Sequence, residues 1–82
     1  MNEKDAIRYA KRFDAKAEAH VDKAKKNISY ALEALESGSD ALIRDAAGYL
    51  YAAIRDIADA REQHAKKRLM EDLAMELAEN ID

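Results

Sequence analysis

Ser37-Gly38-Ser39-Asp40 decides the fold, because it is the place where two long helical patterns stop and start. Gly38 suits the left-handed backbone position that ends a helix, and Ser39 or Asp40 can cap the next one. Ser37 can also cap, so the boundaries hold to within a few residues. There is no Pro, and Gly48 is the only other glycine.

Back from the turn, the spacing predicts a first helix over about 3–36. Ala10, Ala17, Ala24 and Ala31 form one seven-residue ladder, and Ile7, Asp14, Val21, Ile28 and Leu35 form another. Together they step by three and four and make one narrow stripe. Forward from the turn, a second helix is predicted over about 41–79. Ile43, Leu50, Ile57 and His64 form its large ladder; Ala46, Ala53 and Ala60 form its small one, which reaches Lys67. The apolar pattern lapses across 61–68 and resumes in a new phase at Leu69, Met70, Leu73, Ala74, Leu77 and Ile81. A kink or a separate third helix at 61–68 is therefore an alternative to one continuous helix.

So short a connection makes the helices antiparallel neighbours. At equal height Ala31 meets Ala46, Ala24 meets Ala53, and Ala17 meets Ala60. On the same register Leu35 meets Ile43, Ile28 meets Leu50, Val21 meets Ile57, and Asp14 meets His64. A half-heptad stagger is the alternative, and it gives Asp14 to Lys67. The fold class is thus all-α: an antiparallel helical hairpin with an Ala-rich heptad seam, in a single domain spanning 1–82.

Composition supports this reading. The 82 residues are 49% hydrophobic, largely through Ala, and 38% charged with both signs interleaved, which favours solvated helices. Absence of Cys removes disulfides and thiolate metal sites and fits a reducing compartment. The start Met1-Asn2-Glu3-Lys4-Asp5 lacks signal-peptide character, and the longest apolar run, Tyr49 to Ile54, is too short for a membrane span. A cytoplasmic protein with no membrane partner is expected.

The hairpin has more apolar surface than one seam can cover. Ala47, Tyr49, Tyr51 and Ile54 flank the second helix; Tyr9, Phe13, Tyr30 and Leu32 flank the first. Two hairpins joined as a four-helix bundle would supply the missing core. The candidate dimer interface comprises Tyr49, Tyr51, Ile54, Phe13, Tyr30, Leu73 and Leu77. Opposite-end packing of the two turns is favoured, since it brings each basic belt toward its partner's Glu33, Glu36 and Asp45 and both His20 residues near the dyad.

Chemistry-bearing patterns are few. A di-iron bundle wants Glu-x-x-His and a helical zinc site His-x-x-x-His; here Glu18 and Glu62 each precede a His by two. His20 and His64 differ in height by roughly 10 Å, so one hairpin cannot join them. His20 reads as a boundary residue and His64 as half of a register-setting polar pair with Asp14. The Arg-to-His spacing of small helical nucleases is absent, as are phosphate loops and Ser-centred nucleophile motifs. No catalytic, cofactor or metal residue is assigned, and an enzyme is not expected.

Charge layout is the most informative surface feature. The antiparallel register brings Arg8, Lys11, Arg12 and Lys16 level with Arg61, Lys66, Lys67 and Arg68. The resulting belt is a candidate site for an anionic partner. Acidic runs lie at either end: Glu33, Glu36, Asp40 and Asp45 at the turn, and Glu71, Asp72, Glu76, Glu79 and Asp82 at the other. A formal charge of -3 weakens a nucleic-acid role. In design alone, a dimer of such hairpins resembles the small RNA-binding regulators of plasmid copy number; no motif residue is shared. The expected function is a non-enzymatic protein–protein interaction module, a small adaptor, inhibitor or regulator acting as a homodimer. An RNA- or DNA-binding bundle using the belt is the alternative.

Overall fold

In the computed structural model, which describes residues 1–80, the chain is two helices packed as an antiparallel hairpin, with no strand among those residues. Ile81 and Asp82, part of the terminal apolar and acidic runs, lie outside the described residues. Helix α1 spans Glu3–Glu36 and α2 spans Asp40–Glu79, together forming a rod of 66 × 14 × 13 Å.

Local chemistry explains where the helices begin and end. Asn2 caps α1: its side chain accepts from the Asp5 backbone N–H at 2.9 Å, and Asp5 Oδ2 accepts from the Asn2 N–H at 3.3 Å. This reciprocal box satisfies two of the otherwise orphaned donors of the first turn. At the far end the Ser37 N–H donates to Glu33 O, and its hydroxyl donates to Ala34 O. Gly38 then reverses the chain at φ +71°, a conformation open to glycine at no steric cost. Ser39 occupies the capping position of α2 without a side-chain capping bond; its carbonyl accepts from the Ile43 N–H at 2.8 Å. Across 61–68, where a kink was an alternative, α2 runs on as one helix. Nothing in that stretch is a Pro or Gly that would break it.

The core differs from the expected one in size of side chain. Among the described residues every buried hydrophobic is an alanine: Ala6, Ala10, Ala17, Ala24, Ala31 and Ala34 from α1, and Ala46, Ala53, Ala60 and Ala74 from α2. Ala31, Ala34 and Ala46 form one packed cluster, so the expected meeting of Ala31 with Ala46 occurs. The large ladder does not close over the seam. Ile7, Ile28, Leu35, Ile43, Leu50 and Ile57 remain between 41% and 51% exposed. A methyl at every seventh place lets the backbones come close, and the bulkier side chains are then displaced to the rim.

The seam's polar pair is also different at its outer end. Lys67, not His64, reaches Asp14, with Nζ donating to Oδ1 at 2.9 Å. The long lysine stem spans the helical turn that separates the two candidate partners of Asp14, and His64 is left exposed.

Candidate functional site

The seam has two edges, and the contacts across it show which residues share each. On one edge, Ile7, Lys11 and Asp14 of α1 line the same groove as Lys67 and Glu71 of α2. Helical spacing continues this edge through Val21, Ile28 and Leu35 on α1, and through His64, Ile57, Leu50 and Ile43 on α2. One turn further out it gains Leu32 and Ile54, at 56% and 61% exposure. This flank therefore changes character along its length. Toward the turn it is almost wholly apolar; toward the free ends it carries Lys11, Asp14, Arg61, His64, Lys67, Arg68 and Glu71.

The opposite edge is aromatic and polar. Tyr30 and Tyr49 meet across the seam with ring centroids 5.4 Å apart and planes tilted by 49°. Phe13 is half-buried, with the ammonium groups of Lys16 and Lys66 each 5.9 Å from its centroid. Between these aromatic contacts lies a trio that the sequence reading missed. His20 Nδ1 is 3.1 Å from Asp56 Oδ1 and 4.0 Å from Asp59 Oδ2. One turn beyond, Gln63 Oε1 is buried with no hydrogen-bond partner among the described residues.

No spacing within a single helix marks the trio, because it is assembled from two. The antiparallel register did contain the signal: His20 is nearly level with Asp56, and Asp56-x-x-Asp59 puts both carboxylates on one helical face.

The seven candidate interface residues do not form one surface. Tyr51 and Ile54 project from the outer side of the apolar flank, at 72% and 61% exposure. Tyr30, Tyr49 and Phe13 belong to the opposite edge. Leu73 and Leu77 are half-buried near the free ends, where helical spacing aligns them with Met70 and Gln63 on that same edge.

The eight belt cations are level but wrap around the rod, and several are already engaged. Arg8 pairs with Asp5, Lys66 with Glu62 at 3.4 Å, and Lys67 with Asp14. Arg12 lies 5.8 Å from the centroid of Tyr9. The hydrogen bond that Lys67 donates to Asp14, reinforced by that carboxylate's charge and more weakly by Glu71 and Glu18, holds Lys67 above its ordinary value of 10.5, against an opposing effect of burial. Lys11, Arg61 and Arg68 are exposed.

No helix among the described residues is long and apolar enough to cross a membrane. Comparison of the chain with protein-family models, curated proteins and solved structures found no match in any of the three.

Proposed function

We propose that this chain is a non-enzymatic interaction module that works as a homodimer, two hairpins closing a four-helix bundle over the apolar flank. The observation carrying this reading is the all-alanine core. A seam of methyl groups removes little apolar area from water, while Ile28, Leu35, Ile43, Leu50 and Ile57 stand half-exposed in one row. The exposed area agrees. At 6311 Å² the chain shows more surface than the roughly 4,900 Å² that size scaling gives a compact monomer of this length. The excess exceeds the ~800 Å² that one partner buries in an ordinary interface. A second copy is the natural occupant, since the row it would cover is the row it would bring.

Such a bundle serves as a small adaptor, inhibitor or regulator, with the belt and its exposed Lys11, Arg61 and Arg68 left to meet an acidic protein partner. An RNA- or DNA-binding bundle is the second reading, and the observation favouring it is Phe13 placed between Lys16 and Lys66. Retention on heparin that collapses with modest salt would favour that alternative.

Sedimentation equilibrium tests the dimer. The wild type is expected to sediment as a dimer at low micromolar concentration, with a melting temperature that rises with concentration. Leu50→Glu places a charge in the proposed interface but on solvated surface in a lone hairpin, so it should yield the monomer. A wild type that is monomeric and melts cooperatively at one temperature regardless of concentration would overturn the proposal.

A further inference from the structure

We propose that His20, Asp56 and Asp59 form a divalent-cation site that clasps the two helices near the middle of the rod, with a first-row transition ion such as Zn²⁺ as its ligand. The donors come from both helices, and one atom from each of the three lies within 4.8 Å of the others. Of the two imidazole–carboxylate separations, 3.1 Å falls within and 4.0 Å lies just beyond the roughly 3.0–3.5 Å edges of a polyhedron whose metal–ligand bonds are about 2.0–2.2 Å long. Small side-chain rotations therefore suffice to admit an ion.

Charge separates this cluster from an ordinary cross-helix ion pair. At the other polar crossing, Asp14 has the full positive charge of Lys67. Here two carboxylates share a single imidazole, and neither pairs with a Lys or Arg among the described residues. Two Asp side chains three apart on one helix repel each other, and a divalent ion offsets both. Burial is graded in a useful way. The side chains of Asp56 and His20 are 17% and 27% exposed, whereas Asp59 is 54% exposed. The inner two are partly desolvated, which strengthens their hold on a cation, and the outer one leaves an entry from solvent.

The donor set selects the ion class. One imidazole nitrogen with two carboxylate oxygens suits Zn²⁺ and its first-row neighbours better than Mg²⁺ or Ca²⁺, which prefer oxygen alone. Coordination through Nδ1 requires the His20 tautomer with its proton on Nε2. Three protein donors leave further positions to water. The trio lies on the edge of the seam away from the apolar flank, so this site stands independently of dimer formation.

Isothermal titration of the full-length chain with Zn²⁺, repeated with Mg²⁺, tests the proposal. The expected result is one saturable Zn²⁺ site per chain with micromolar affinity and far weaker binding of Mg²⁺. Asp59→Ala, an exposed change to a good helix former, and His20→Ala should each weaken Zn²⁺ binding at least tenfold, with far-ultraviolet circular dichroism reporting that both remain helical. Co²⁺ should give a visible absorption band that His20→Ala abolishes. Absence of saturable Zn²⁺ binding up to millimolar concentration overturns the site. So does a wild-type affinity in either variant, which would place the ion elsewhere on the acidic surface.

Discussion

Lys67 reaches across the seam to Asp14 from a ladder position where every other described α2 residue of that ladder is alanine. Its long stem bridges the gap that the short seam leaves, and the bond to Asp14 holds its charge to a higher pH than usual. A lysine whose folded-state pKa is raised adds stability that is fully present below its unfolded value and is lost as pH climbs through the folded value. Comparing the melting temperatures of wild type and Lys67→Met from pH 7 to 11.5 should show a constant deficit in the variant up to about pH 10. The deficit should then shrink above the ordinary lysine value of 10.5 as the ammonium discharges. A deficit unchanged through that range would mean that Lys67 acts by packing alone. Choosing Asp14's partner from sequence required the stagger to better than half a heptad, and ladders with a repeat of seven fix face more firmly than height. His20 shows the same limit, since its level relative to Asp56 becomes informative only once the stagger is known.

At the scale of the element, the hairpin was legible because three independent signals agreed: the heptad ladders, the lack of Pro, and the Gly38 turn. Less legible was which ladder would be central. Apolar pattern alone marks Ile28 and Ala24 as neighbours on a stripe, and hydrophobicity favours burying the larger. The close approach available to two alanine ridges reverses that order, leaving Ala24 at 3% exposure and Ile28 at 46%. Ala24→Leu or Ala53→Leu should therefore overpack the seam, at a cost of about 1–3 kcal/mol. Ala19→Leu, on the solvated side of α1, should be nearly neutral. Chemical denaturation of the three variants at one fixed protein concentration is the check, and equal midpoints would contradict the alanine seam.

For the whole molecule, the uneven character of the apolar flank bears on how two copies would meet. Ile28, Leu32, Leu35, Ile43, Leu50, Ile54 and Ile57 all fall between mid-rod and turn, while the belt fills the other half. Full-length overlap with turns at opposite ends, favoured from charge alone, would set this apolar half against the partner's cations. Burying a Leu or Ile contributes about 1.5–3 kcal/mol, against 0–1 for an exposed charge pair, so the apolar residues should dominate the choice. Opposite-end packing with only the turn halves overlapped satisfies both, its dyad near the level of Ile28 and Leu50. Spin labels at Ser37 in the two copies should then lie about 30 Å apart, twice the nine-residue rise from dyad to turn. Separations near ~50 Å, from full overlap, or under ~20 Å, from turns side by side, would exclude this geometry. The alanine seam also shapes how the hairpin forms in the first place. A methyl group has no rotamer to freeze, so closing each rung costs no side-chain entropy. Rungs nearest Gly38 close the shortest loops, and each one closed shortens the search for the next. Folding should accordingly travel as a zipper from Gly38 outward, and the open ends, which carry the belt, should be the last to close and the first to fray.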